Sequence, residues 1–281
     1  MRTYHNIYMI GLRRAVSKMG ISQKVKKTIF WCKEAPRNIL SAFLPSAYVL
    51  LYHRVADVTD DPHLLAVRKK HFEDHIRYLT EKGHVISLNQ LVQDIKNHSV
   101  RDKSVVVTFD DGYADNFYNA YPILKKYNAP FTVFVSALPM LNQETFPWDA
   151  GTDDASRGRP MTKDELLQLA QDPLVSIESH TLSHPRLIQL ADDEQFKELS
   201  ESRRLISTIL QKDILGLSYP FGSPWDFDRR TVAQAKKTGY TFACANYPGH
   251  VTQAVDLYRI PRYLVRDWPI EIAIEKWRGL L

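Results

Sequence analysis

From about residue 46 onward the sequence predicts an α/β fold of repeated βα units around a parallel sheet. Three observations carry that prediction. Short apolar, β-branched runs alternate with longer segments of helical periodicity. Side chains capable of chemistry recur directly after those runs, at His53, at Asp110 with Asp111, at His180 with His184, from Tyr219 to Gly222, and at Arg262. In a parallel barrel the strand C-termini share one face, so residues this far apart in sequence converge there. Finally, 44% hydrophobic content with 11% aromatics over 281 residues is enough to build a sizeable core.

Strands are expected at residues 48–52, 105–109, 131–135, 175–178, 215–219, 241–245 and 258–260, where β-branched and aromatic residues cluster. Helices are expected at 68–82, 88–97, 113–127, 162–171, 192–211 and 228–238. Thr162 followed three residues later by Glu165 is a capping-box start, and Gly83 and Gly239 follow helix ends as stop signals. Residues 137–160, rich in Pro, Gly and Asp, read as one long loop, a length that often accompanies function. No internal repeat or low-complexity tract is evident.

Charge is distributed unevenly. In residues 1–40, Arg2, Arg13, Arg14, Lys18, Lys24, Lys26, Lys27, Lys33 and Arg37 face a single acid, Glu34, so the rest of the chain contributes −3 to the net +5. A near-neutral body argues against a nucleic-acid-binding surface over the whole chain. Residues 1–45 are set apart as a basic N-terminal extension of helical character. It lacks the apolar run and cleavage site of a secretory signal, and no stretch is long enough for a transmembrane helix. Its Ile7, Tyr8, Met9, Ile10 and Leu12, with Ile29, Phe30 and Trp31, fit either amphipathic helices on an anionic membrane or a solvated extension packed on the domain. The expected location is cytoplasmic, with peripheral contact at the inner face of the membrane through residues 1–40. Cys32 and Cys244 have no paired metal or redox spacing and imply no disulfide framework.

Residues 105–112 read VVVTFDDG, a buried strand ending in two adjacent carboxylates and a glycine. Like charges at a strand end raise one another's pKa unless a cation or a proton is shared, and a metal ion resolves the conflict. An Asp-Gly turn is the plainer reading of the same residues. His180 and His184 in SHTLSHP have a separation that lets two imidazoles reach one ion, although histidines so spaced are also commonly solvated. With a carboxylate they make two nitrogens and one oxygen, a set that leaves positions open for water and substrate.

TFDDGYADN at 108–116, SHTLSHP at 179–185, YPFG at 219–222 and YHRV at 52–55 together resemble the polysaccharide deacetylase family, the NodB-homology domain of carbohydrate esterase family 4. The likeness covers about residues 46–265. It implies a distorted (β/α) barrel of about seven parallel strands spanning residues 46–281. It also implies one divalent ion, Zn²⁺ first with Co²⁺, Ni²⁺ or Fe²⁺ as alternatives, and hydrolysis of an N-acetyl group. Carried over by motif, Asp111, His180 and His184 bind the ion and Asp110 is the general base. The peptide N–H of Phe221, at the position of the family's motif tyrosine, joins in stabilising the oxyanion.

The sequence departs from the better-known branch of that family in two places. Ser218 stands where an arginine precedes the third motif, and no histidine follows Arg262, where the usual general acid belongs. His53 is the expected substitute. This is similar to the permuted branch found in poly-N-acetylglucosamine deacetylases, in which a YH dipeptide supplies the acid. Arg262, in RIPR, is the candidate to orient Asp110, or else a surface arginine with an unrelated partner. His63, His71, His75, His84 and His98 are expected to be solvated. Trp148, Asp149 and Trp225 either line a sugar subsite or are core.

The expected substrate is an N-acetylhexosamine in a polysaccharide or a lipid-linked precursor. Deformylation or amide hydrolysis of another N-acylated compound is the alternative, and a catalytically silent carbohydrate-binding barrel is a second.

Overall fold

In the computed structural model, which describes residues 45–150 and 158–278, the apolar runs become strands close to their expected places. The strands are β1 (Ala47–Tyr52), β2 (Arg54–Val55), β3 (Ala66–Val67), β4 (His84–Val85), β5 (Ser104–Phe109), β6 (Phe131–Val135), β7 (Val175–Ser179), β8 (Gly216–Ser218), β9 (Phe242–Cys244) and β10 (Tyr263–Leu264). Seven of them form a parallel path in the order β10, β1, β5, β6, β7, β8, β9. β4 lies beside the first residues of β5, and β2 pairs with β3 separately.

Ile260 bridges to Cys244 in β9, and a few residues later β10 pairs with β1. One short segment therefore touches both edge strands and curls the sheet into the distorted barrel. The strand expected at 258–260 is reduced to that single bridge. Asp256 captures the N–H groups of Tyr258 (3.0 Å, to its side chain) and Arg259 (2.8 Å, to its carbonyl), and Pro261 has no N–H to give.

The two-residue period of a strand sorts β5 into two files. Val106 points with Val49, Phe134, Phe242 and Cys244 into the barrel, against Leu88, Leu91, Val92 and Ile95. Val105, Val107 and Phe109 point outward into the larger core beneath the surrounding helices. The inward file continues through Thr108 to Asp110, so the strand turns from apolar to charged as it nears its C-terminal end.

Helix Lys69–Lys82 buries Phe72, His75, Ile76 and Leu79, one stripe at helical spacing. Thr162 and Glu165 form the expected capping box at the start of helix Lys163–Leu169. Gly239 uses the left-handed region (φ +91°) as a helix stop, whereas Gly83 is extended (φ −119°) and ends its helix without it.

Three expectations are corrected. Residues 113–127 are not one helix: a π-helical turn, Asn116–Ala120, runs into helix Tyr121–Lys126. Pro122 has no N–H for an i→i−4 bond, which favours a break in the regular ladder there. The loop expected over 137–160 holds helix Ala137–Asn142 and a 3₁₀ turn, Pro147–Asp149, each too short to show a periodic signal. His75, expected in solvent, has no exposed surface. Its Nε2 donates to the Trp268 carbonyl (2.8 Å), its Nδ1 lies 3.4 Å from the Tyr52 hydroxyl, and burial pushes its pKa down to about 4. The basic extension lies outside the described residues, and among those described no helix is long and apolar enough to cross a membrane.

Candidate active site

Asp110 continues the inward file of β5, whereas Asp111, next in an alternating strand, belongs to the opposite face. The chain turns it back with a γ-turn. Gly112 N donates to the Asp110 carbonyl (2.9 Å), and Asp111 sits at φ +71°. A γ-turn with a left-handed centre is rare and strained, and Asp is among the few residues that tolerate the region. Gly112 follows at φ +81°, where an added Cβ would meet Val135 at 3.2 Å. The Asp-Gly pair is thus a turn, and the turn is what aims Asp111 at the two histidines.

Asp111 Oδ1 lies 3.4 Å from His180 Nε2 and 3.4 Å from His184 Nε2. His180 follows β7, and its Nδ1 is 2.9 Å from the Ser218 carbonyl. A carbonyl only accepts, so Nδ1 carries the proton and Nε2 presents a lone pair, as a metal-binding imidazole requires. The loop then doubles back through Thr181 (φ +69°) and His184 (φ +62°), with His184 N donating to Thr181 Oγ1 (3.1 Å).

One donor atom from each of Asp111, His180 and His184 falls within 4.8 Å of the others. A tetrahedral ion about 2.0–2.1 Å from N and O ligands would set those ligands about 3.3 Å apart, close to the spacing seen. Asp111 Oδ1 is buried without a hydrogen-bond partner, the kind of orphan that an ion satisfies. The three side chains therefore fit a divalent cation. Burial opposes the Asp111 charge, yet the two imidazoles of His180 and His184 close beside it hold its carboxyl far below the usual range.

Asp110 is gripped from the other side. Arg262 Nη1 donates to Oδ1 (2.8 Å) and Nη2 to Oδ2 (2.7 Å), a bidentate fork, and Ser218 Oγ donates to Oδ2 (3.0 Å). Arg262 has no exposed surface, and its Nε donates to the Ala245 carbonyl (2.9 Å). Burial works against ionisation of Asp110, but the Arg262 charge, the nearby His180 and the hydrogen bonds from Arg262 together outweigh it and hold the carboxyl down. In the sequence Ser218 marked only a missing arginine. Its hydroxyl, which also accepts from Arg262 Nη2 (2.7 Å), completes the grip that Arg262 brings from elsewhere in the chain.

His53 is the residue between β1 and β2. Burial lowers its pKa while Asp111 and Asp110 pull the other way, which places its ring in the field of both carboxylates. Phe221 occupies a second γ-turn, with φ +60° and Gly222 N donating to the Pro220 carbonyl (2.6 Å). Its ring lies edge-on to His184 at 5.0 Å, under the Arg186 guanidinium at 3.8 Å. Four of the ten described non-glycine residues with left-handed backbone, Asp111, Thr181, His184 and Phe221, sit at this face, so the site carries backbone strain of its own.

Trp148 packs on His184 with ring centres 4.6 Å apart, and its Nε1 donates to the Tyr113 hydroxyl (2.7 Å). Trp148, Phe146, Leu138 and Ser183 join His184 around a cavity of about 180 Å³. Asp149 is buried and accepts from the same Tyr113 hydroxyl (2.7 Å), whereas Trp225 is 45% exposed. The structure thus brings His53, Asp110, Asp111, His180, His184, Phe221 and Arg262 to one end of the barrel.

Known proteins resemble this chain in sequence and in fold. A family model described as polysaccharide deacetylase matches residues 97–243. YxkH of Bacillus subtilis (strain 168) is 30% identical over 251 residues, covering 87% of this chain and 78% of that protein. The poly-beta-1,6-N-acetyl-D-glucosamine N-deacetylase of Staphylococcus aureus (strain MSSA476) is 26% identical over 223 residues, covering 76% and 72%. The solved structure of the Streptococcus pyogenes deacetylase PplD in complex with acetate superposes with a TM-score of 0.69 at 22% identity, covering 83% of this chain and 98% of that one. The family's general activity is metal-dependent hydrolysis of N-acetyl groups, at carbon–nitrogen bonds outside peptides. With that activity, the matched span and the parallel barrel, the expected likeness is met: this chain belongs to the polysaccharide deacetylase family.

Proposed function

We propose that this chain removes acetyl groups from N-acetylhexosamine residues of a glycan, with Asp111, His180 and His184 holding one Zn²⁺ and Asp110 acting as general base. The observation that carries the reading is the pairing of an ion-sized Asp-His-His set with a neighbouring carboxylate that is fixed by Arg262 and Ser218. A donor set of two imidazole nitrogens and one carboxylate suits zinc, and equally admits cobalt, nickel or ferrous iron. The glycan class is supported by the Staphylococcus aureus relative, a poly-N-acetylglucosamine deacetylase by name.

When bound, the ion polarises the amide carbonyl and makes a water acidic enough to be deprotonated near neutral pH. Asp110 takes that proton as the water attacks, and its fork with Arg262 keeps it ionised and aimed. The Phe221 peptide N–H donates to the carbonyl oxygen as negative charge gathers on it. His53 supplies a proton to the departing amine, without which a carbon–nitrogen bond breaks slowly. Trp148, backed by the buried Phe146 ring, offers an aromatic face to a pyranose ring beside His184.

The basic segment 1–40, by its charge, is assigned to peripheral contact with an anionic membrane, and the chain to the cytoplasmic side. Unchanged liposome binding after deletion of residues 1–40 overturns that assignment. For the chemistry, purified protein loaded with Zn²⁺ should release acetate from N-acetylglucosamine oligomers. Asp110→Asn and His184→Ala should each abolish release, and undiminished release in either removes the mechanism.

A further inference from the structure

The tail of the first motif, Tyr113 to Asn116, has no task in holding an ion. Its side chains reach across to the segment that carries His53. Asn116 Nδ2 donates to the His53 carbonyl (2.8 Å), and Asp115 accepts from Val55 N (3.1 Å) and from Arg54 Nε (2.9 Å). Asn119 Nδ2 donates to the Val55 carbonyl (2.7 Å). Three side chains from one turn thus grip three consecutive residues, although 60 or more positions separate them in sequence.

His53 needs such a grip from outside. It is a single joint between the ends of β1 and β2, and its Nδ1 is buried with no hydrogen-bond partner. Nothing among the described contacts orients the ring through its own nitrogens, so its direction is set by its backbone. The grip comes from the π-helical turn Asn116–Ala120 and the residue before it, and such turns recur at functional sites. Asn116 is fully buried, beyond what a surface turn needs.

We propose that Asp115, Asn116 and Asn119 are positioning residues that hold His53 where it can hand a proton to the leaving amine. The inference rests on His53 as the acid, and the test separates the two. An amine leaves only with a proton, whereas nitrophenolate leaves without one, so a displaced acid harms amide hydrolysis and spares an activated ester.

Zinc-loaded full-length protein, wild type and the His53→Ala, Asn116→Asp and Asn116→Ala variants, is assayed on N-acetylglucosamine oligomers and on para-nitrophenyl acetate. Bound zinc per chain and melting temperature are measured alongside. Asn116→Asp keeps the shape and removes the amide donor. Both Asn116 variants should lose roughly 10- to 100-fold in kcat/KM on the oligomers, the scale of a misplacement near 1 Å, and stay within about threefold on the ester. Bound zinc should not change. Equal losses on both substrates, or no loss on the oligomers while His53→Ala remains selective, overturn the proposal. If His53→Ala lowers both substrates equally, the acid assignment itself fails and this inference with it.

Discussion

The two ends of the barrel are built on opposite principles, and β5 runs from one to the other. At the end where the strands begin, Val49, Val106 and Phe242 join Leu88, Leu91, Val92 and Ile95 in one apolar cluster. At the end where they finish, the same inward file of β5 reaches Asp110, locked to Arg262, with Asp111 turned back beside it. The first end gains stability from burial. The second spends it on left-handed backbone at Asp111, Thr181, His184 and Phe221 and on buried atoms without partners. Side chains a few positions apart on one strand therefore answer to different demands. Changes at the two ends should separate activity from stability.

The largest effect is expected from Asp111→Asn. Asn tolerates the left-handed position, and the charge given up is favoured by the two imidazoles but opposed by burial, so the metal-free protein should unfold at a denaturant midpoint close to, and no higher than, that of wild type. Loss of one ligand should nevertheless remove bound metal and lower kcat/KM by at least about 10³-fold, several kcal/mol of lost polarisation. A clear drop in metal-free stability would mean that Asp111 serves the fold.

Arg262→Met mixes the two demands. Removing one partner of a buried pair leaves Asp110 charged and uncompensated, at about 3–5 kcal/mol in unfolding free energy, and activity should fall with it. Adding Asp110→Asn to Arg262→Met should recover much of the stability and none of the activity. Failure of the double variant to recover would show that Arg262 matters mainly through Ala245 and Phe134.

At the other end, Leu91→Ala should cost about 2–5 kcal/mol by urea unfolding and leave kcat/KM on the folded protein unaltered. A change in kcat/KM would show that the apolar end sets the geometry of the site.

The sequence is informative about these ends to different degrees. Strands β1, β5, β6 and β7 were legible because buried parallel strands are continuous apolar runs. The ligand and base candidates were legible because their motifs are contiguous. What stayed hidden depends on contacts between distant segments. The Ser218 hydroxyl on Asp110 spans 108 positions, and the grip of Asn116 on His53 spans 63. His75 looked like a polar residue on a helix, yet its partners Tyr52 and Trp268 lie outside that helix. Short elements escaped as well, since the two residues of β2, of β3 or of β10 show no period.

Glu178 breaks the contrast between the ends and offers its finest test. It lies on β7 in register with Phe134, so its side chain points into the barrel, and its carboxylate reaches the start of β8 beside Phe242, where Leu215 N (3.0 Å) and Gly216 N (2.7 Å) donate to it. Burial pushes its pKa up to about 7, against the two backbone donors and Arg203. The folded-state value lies above the unfolded one, so the folded protein keeps a proton that the unfolded chain has released. Below the unfolded pKa, near 4.5, the group adds no penalty. As pH rises through 7 the penalty grows to its full size, on the order of 3 kcal/mol. Glu178→Gln keeps an oxygen for the two backbone donors and never charges. Urea unfolding at pH 5 should therefore find variant and wild type nearly alike, and at pH 8 the variant should be the more stable by up to about 3 kcal/mol. If the two curves stay parallel from pH 5 to pH 8, this half of the barrel tolerates a carboxylate after all. Charge at the far end of the strands would then not by itself set the functional end apart.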